Sequence, residues 1–295
     1  MTAVERMVFQ DAGIGSDGQP LPDIESPALL VRLEARLFNV QSKPAEPTPR
    51  FYISSIPICT PGNLTTISAP PKYAKSSFIG AMIAAAMTPE PETADCLGVS
   101  SRNPNGHALI HLDSEQSLFD HYTILSTALR RARLTEQPRW LKSYCLTGFP
   151  ILEARACISL AMEQAAQSCG GIHSVMLDGV ADFVQDVNSP EESNLFVNEL
   201  HALTIRYDCP NIGVIHFNPG TEKTRGHLGS QLERKAETNL RLERDGEAIV
   251  VWADKNRRAP ISKDCGPRFQ WSQEHQMHVS TVTAGQVRTD AKHAE

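Results

Sequence analysis

The chain has 295 residues, 41% hydrophobic and 21% charged, with Lys+Arg 28 against Asp+Glu 34 and a formal charge of −6. This length suits one large α/β domain with an appendage, or two small domains, and the composition excludes disordered, collagenous and coiled-coil chains. The longest apolar run, Phe78 to Met87, is far short of the roughly 18 residues of a membrane helix. The N-terminus shows no secretory apolar core with a cleavage site. The seven cysteines, nowhere spaced as CxxC, signal neither a disulfide framework nor zinc. The expectation is a cytoplasmic protein with reduced thiols and no membrane partner. Net acidity argues against a chain coated in nucleic acid but leaves room for a local basic patch.

The first 20 or so residues carry no periodicity. From Ser26 to Val40, Leu29, Leu30, Leu33, Ala35 and Leu37 recur at helical spacing, which predicts one amphipathic helix. The three prolines of Ser42 to Arg50 make an extended tether. Residues 1–48 thus form an N-terminal segment ahead of a main domain over 49–282. From there strand-like runs alternate with helical segments. FYISSIPI and LTTISA precede a helix from about Ser76 to Met87, and ALIHLD precedes one from about Ser117 to Arg133. SYCLTG leads to a helix from about Leu152 to Ser168, and HSVMLD to one from about Pro190 to Arg206. NIGVIHF, TNLRLERDG and EAIVVWADK close the series, and a polar tail covers 283–295. The alternation predicts an α/β fold, a mostly parallel twisted sheet with helices on both faces. Ligands of such sheets bind beyond the carboxyl ends of the strands.

LTTISA runs into Ala69-Pro70-Pro71-Lys72-Tyr73-Ala74-Lys75-Ser76 and then an apolar helix. The spacing is that of the phosphate loop GxxxxGK[ST], with alanine at both glycine positions. Strand, turn and helix aim backbone N–H groups and a positive helix end at a phosphate. Lys75 would reach the β/γ-phosphates and the Ser76 hydroxyl would hold magnesium. The alternative is a Pro-rich turn with two incidental cations. ALIHLD ends in Asp113-Ser114-Glu115-Gln116-Ser117, where a carboxylate on the strand next to a phosphate loop can deprotonate an attacking water. Glu115 is the candidate; the alternative is a capping box built on Asp113 or Ser114. Asp178, closing HSVMLD, suits the magnesium side of such a site, although strands often end in an acidic turn residue. His216, closing NIGVIH, could touch a γ-phosphate or be a satisfied core histidine. Gly220 to Ser230, GTEKTRGHLGS, reads as a mobile, basic, phosphate-contacting loop or as a solvated one. AIVVWAD delivers Lys255-Asn256-Arg257-Arg258 to a strand end on the ligand edge, where cations could complete a neighbouring subunit's phosphate site or form a solvated turn.

PPKYAKSSF, HLDSEQS, VMLDGVADFVQDVN, VIHFNPG, RGHLGSQLERKAE and WADKNRR occur in one order, each at a strand end, from about Asn63 to Arg258. In this joint pattern the chain resembles the RecA-like ATPases, and within them the RepA-type branch of hexameric plasmid and mobile-element helicase-like proteins. The resemblance implies a RecA-like P-loop core that binds ATP and Mg2+ through Pro71, Lys72, Tyr73, Ala74, Lys75, Ser76 and Ser77. It also implies a catalytic Glu115, a magnesium-side Asp178 and a sensor at His216. A DNA-facing segment would contain Lys223, Arg225, His227 and Ser230, and Lys255, Arg257 and Arg258 would bridge subunits. A homo-oligomeric ring or filament, foremost a hexamer, follows, with single-stranded DNA as partner and the N-terminal helix docked on a neighbour. The departure is Ala74, whose Cβ crowds a backbone that often needs special torsions; Lys72 adds compensating charge. Because the glycines are missing, a RecA-fold scaffold or DNA-binding protein with a weak or inactive site stands as the alternative function.

Overall fold

The computed structural model describes residues 26–89, 93–218 and 223–281. The first twenty residues, Gly220 and the 283–295 tail lie outside them. The chain divides into two compact units, Met1–Glu46 and Pro47–Glu295. In the first, α1 spans Pro27–Glu34, with proline in the first turn, and none of its residues is buried. It is shorter than the expected Ser26–Val40 because i→i+3 bonds, from Arg36 N to Leu33 O and Leu37 N to Glu34 O, close it off. No packed face within its own unit extends it, and packing supplies most helical stability.

In the second unit the described elements run β1 (Phe51–Ile53), β2 (Ile56–Cys59), β3 (Leu64–Ala69), α2 (Lys75–Met87), β4 (Val99–Ser101), β5 (Ala108–Asp113), α3 (Leu118–Arg131), β6 (Leu141–Cys145), α4 (Ile151–Cys169), β7 (Ile172–Asp178), α5 (Pro190–Arg206), β8 (Asn211–His216), α6 (Gly226–Lys235), β9 (Thr238–Asp245), β10 (Ala248–Asn256), β11 (Arg268–Ser272) and β12 (Met277–Thr281). The main sheet has nine strands in the order β12-β11-β10-β9-β3-β8-β7-β5-β6. From β9 to β6 every pairing is parallel, and β9 to β12 form an antiparallel meander.

The central strands β3, β5 and β7 are buried at every position. They alternate between two cores because successive side chains face opposite sides of a sheet. Ile67, Leu109, Met176, Ile212 and Val214 pack with α2 and with Ala128 of α3. Leu64, Ile110, Leu112, Val175, Leu177 and Ile215 pack with Ile158 of α4, Phe196 of α5 and Leu228 of α6. Helices therefore cover both faces. The apolar run from Phe78 is the buried helix α2.

Two stretches differ from expectation. FYISSIPI is a hairpin, β1 and β2, turned by Ser54 and Ser55 at φ 48° and 68°, and it forms a separate three-stranded sheet with β4. GTEKTRGHLGS is no continuous loop, since α6 begins at Gly226 and takes His227 and Ser230 into a helix.

Candidate functional site

β3 ends at Ala69 and the chain enters α2 through a turn in which Lys72 and Ala74 both take positive φ, 66° and 53°. Each costs about 1–2 kcal/mol in a residue with a Cβ. α2 has no side-chain cap, so its first-turn N–H groups lack intrahelical partners. Lys75, in that turn, is 6% exposed. Its Nζ donates to Pro70 O at 3.1 Å and to His216 Nδ1 at 2.9 Å, and lies 3.5 Å from Ala69 O. An ammonium has no lone pair, so His216 accepts at Nδ1 and carries its proton on Nε2. That nitrogen faces Glu115 Oε1 at 3.2 Å and Oε2 at 3.3 Å. Lys75, His216 and Glu115 are thus one chain of contacts. Burial lowers the Lys75 pKa, against the pull of Glu115 and Asp178.

Asp178 closes β7, fully buried, and neither carboxylate oxygen has a hydrogen-bond partner. Its pKa is pushed up to about 7, by burial first and then by Asp113 and Glu115, while Ser76 and Lys75 pull it down. A buried acceptor without a partner costs about 1–3 kcal/mol, more when charged. Asp178 with the Ser76 hydroxyl fits a hard divalent cation, whose remaining ligands would be phosphate and water oxygens. Among the described residues no group of three or more His, Cys, Asp or Glu side chains makes a protein-only cage.

The turn after β5 presents Glu115. Asp113 accepts from the N–H groups of Glu115 and Gln116 at 3.1 and 3.0 Å and from His121 Nδ1 at 2.8 Å. Burial alone would raise its pKa, but these bonds and His111 together lower it. His121 is held in turn by Ser143 Oγ at 3.0 Å, which also meets His111 Nδ1 at 2.8 Å. The rings of His111 and His121 stack 5.3 Å apart. This buried network was missed in the sequence, where its only signal was a histidine inside the apolar strand ALIHLD. The capping-box alternative does not hold, because Ser117 caps α3 by accepting from Asp120 N at 3.2 Å. Gln116 reaches Ser76 Oγ at 3.5 Å. Gly179, at φ +94°, lets the two turns meet: a Cβ there would lie 2.5 Å from Ser114 Oγ and 2.7 Å from Glu115 Cγ.

The strand order corrects one premise. β5 is not next to β3, because β8 and β7 lie between them, and His216 bridges the gap. A second correction concerns Lys255, Arg257 and Arg258. β10 is antiparallel to β9, which is parallel to β3, so Asn256 pairs with Thr238 at the amino ends of the parallel strands. The three cations therefore lie on the edge away from Lys75. Lys255 Nζ caps α6 through Glu233 O and Arg234 O at 3.1 Å, Arg257 reaches Asn63 Oδ1 at 3.4 Å, and Arg258 lies 4.0 Å from buried Glu237.

Lys223, Arg225, His227 and Ser230 are exposed. The segment is tied down at both sides: Phe217 pairs with Thr224, and Arg225 N donates to His216 O at 3.0 Å. Its glycines answer packing, since a Cβ on Gly226 would lie 2.4 Å from Val187 O and one on Gly229 2.5 Å from the Thr224 side chain. Beside the phosphate-loop turn, Pro70, Tyr73, Phe217, Trp252, Arg241 and Asp254 line a cavity of about 420 Å³. Arg241 stacks over Phe217 at 4.8 Å and pairs with Glu233 at 2.9 Å and Asp254 at 3.0 Å. Of these aromatics only Tyr73 was singled out in the sequence, because Phe217 and Trp252 come from distant strands.

No protein-family profile matches the chain, and no curated protein is detectably similar to it in sequence. Among solved structures it is similar to the ATPase domain of a helicase, at 13% identity and a TM-score of 0.52, over 75% of this chain and 85% of that one. A RadB recombinase matches at 13% identity and a TM-score of 0.49, over 75% of this chain and 92% of that one. The fold is RecA-like, a mostly parallel sheet with helices on both faces.

Proposed function

We propose that the chain is a magnesium-dependent ATPase of the RepA-type helicase-like branch, working as an oligomer on DNA. The observation that carries this is the buried, unpartnered Asp178 carboxylate facing Ser76 and Lys75 where α2 opens without a cap. A phosphate needs the free N–H groups and the ammonium; a divalent cation needs the carboxylate. Magnesium, held by Ser76 and Asp178, would neutralise charge on the phosphates. The turn from Pro71 to Ser77 wraps them, with Lys75 exchanging the Pro70 carbonyl for the β/γ-phosphates. Glu115 takes the proton of the water whose oxygen attacks the γ-phosphorus, as the bond to the ADP oxygen breaks. His216 couples Glu115 to Lys75 and so reports the state of the γ-phosphate. Tyr73, Phe217 and Trp252 offer apolar faces for the base. Lys255, Arg257 and Arg258, on the far edge, could reach only a neighbouring subunit's phosphates, which favours a ring, foremost a hexamer. Exposed Lys223, Arg225, His227 and Ser230 would face single-stranded DNA.

The test is ATP turnover with and without magnesium and single-stranded DNA. Lys75→Ala should abolish it, and Glu115→Gln should cut it by about 10²–10⁴-fold while retaining bound ATP. An unchanged rate in Lys75→Ala would refute the mechanism. The in-chain engagement of Lys75 and the two strained turn residues favour a second reading, a nucleotide-gated scaffold. It predicts a nucleotide-dependent rise in Tm without hydrolysis.

A further inference from the structure

The edge of the sheet away from Lys75 carries a second candidate site. β1 and β4 pair antiparallel, Phe51 opposite Ser101, Tyr52 opposite Ser100 and Ile53 opposite Val99. Phe51, Ile53, Val99 and Ser101 are buried, so strand alternation turns Arg50, Tyr52, Ser100 and Arg102 to the other face. Those four line a cavity of about 900 Å³, rimmed by the turn from Asn103 to His107. No carboxylate among the described residues lines it, in a chain where Asp+Glu 34 outnumber Lys+Arg 28.

Arg50 and Arg102 stand one step beyond the last pair, Phe51 and Ser101, opposite each other on neighbouring chains. Like charges so opposed repel and destabilise a strand pair. Among the described residues neither guanidinium has an ion pair or hydrogen bond, and Arg50 Nε is buried without a partner. The scaffold around them is fixed. Arg50 N donates to Cys59 O at 2.8 Å, and Ser101 Oγ donates to Arg50 O at 2.6 Å. Asn103 closes the rim turn by bonding the backbone of His107 at 2.8 and 3.0 Å. His173, in contact with Ser101, adds no compensating negative charge; burial and then Arg50 lower its pKa to about 3, leaving it neutral.

We propose that this cleft is an anion site separate from the phosphate loop, in which Arg50 and Arg102 clamp the phosphate groups of a nucleotide-bearing ligand. Guanidinium forks match phosphate oxygens bidentately, the volume exceeds what one phosphate fills, and Tyr52 supplies a ring face for a base. The phosphates can belong to a free small molecule or to a single-stranded oligonucleotide.

Calorimetric titrations of the full chain carrying Lys75→Ala, near 50 mM salt, separate the sources with inorganic pyrophosphate as one probe and an eight-residue oligo-dT as the other. Adding Arg102→Gln, at an exposed position, should weaken at least one probe tenfold or more. Loss of pyrophosphate alone identifies a free phosphate ligand, and loss of the oligonucleotide identifies the strand as the source. Arg50→Gln should act in the same direction, with a thermal melt as folding control. If Arg102→Gln changes both affinities by less than twofold, or neither probe binds the Lys75→Ala protein, the assignment is overturned. Arg102→Gln alone should leave basal ATP turnover unchanged, so failure here and failure of the ATPase reading are distinct results.

Discussion

Asp178→Asn should stabilise the ligand-free protein at high pH and remove its response to magnesium-ATP. Burial, with Asp113 and Glu115, raises the Asp178 pKa from 3.8 to about 7. Between those values the folded chain keeps a proton that the unfolded chain has released. Wild-type stability therefore falls as pH rises from about 4 to about 7 and is level above that. At about 1.4 kcal/mol per pH unit, the full effect is about 4 kcal/mol at most, of which about 2–3 kcal/mol develops between pH 5 and pH 8. Asparagine keeps the shape and has no proton to lose. In urea unfolding without magnesium or nucleotide, the variant's advantage over wild type should grow by that amount from pH 5 to pH 8. With magnesium-ATP at about 100 times its Kd, wild type should gain about 2.7 kcal/mol and the variant little. An advantage that is the same at both pH values would refute the reading of Asp178 as a buried carboxylate without a counter-charge.

Ala74→Gly should relieve the positive φ of 53°, worth about 1–2 kcal/mol, against about 0.4–1 kcal/mol of added unfolded-state freedom. The expected net gain is about 0–1 kcal/mol in thermal unfolding; a loss above about 1 kcal/mol would show that the turn is not strained at Ala74. Gly179→Ala should cost about 2–3 kcal/mol, combining φ +94° with a Cβ 2.7 Å from Glu115 Cγ. Turnover should fall with it, because the Glu115 turn must move; wild-type stability in a denaturant titration would contradict the close approach.

Much of this was legible because the central strands are apolar on both faces and each is followed by a helix of clear period. α5 runs over Pro190–Arg206, where its proline and periodicity place it. Strand ends could be searched for polar residues, and that search assembled Lys75, Ser76, Glu115, Asp178 and His216, which the fold brings together. Lateral strand order is set by tertiary packing, so the separation of β5 from β3 could not be read. β11 and β12 escaped because only Phe269 among their residues is buried, which leaves little hydrophobic pattern. The reversed β10 did have a signal. Asp245-Gly246 between two strand-like runs marks a hairpin, with Gly246 at φ +64°, and it places Lys255 on the far edge. In RGHLG the glycines suggested flexibility, whereas the fold uses them where backbone and side chains pack too closely for a Cβ.

The places where local rules are broken are not scattered. At the carboxyl edge, Lys72 and Ala74 take positive φ, Lys75 is buried, α2 lacks a cap and Asp178 lacks a partner. At about 1–3 kcal/mol each, these are a large share of the about 5–15 kcal/mol by which a domain is stable. One pair of species, a phosphate and a divalent cation, answers the last three together. That is why a ligand site explains the edge better than incidental strain, and Ser54 and Ser55 make the contrast, since their positive φ only turns a hairpin. At the opposite edge the broken rule is of one kind, two opposed guanidiniums with no described carboxylate lining their cleft. A cation would worsen it, an apolar partner would leave it unsolved, and an anion resolves it.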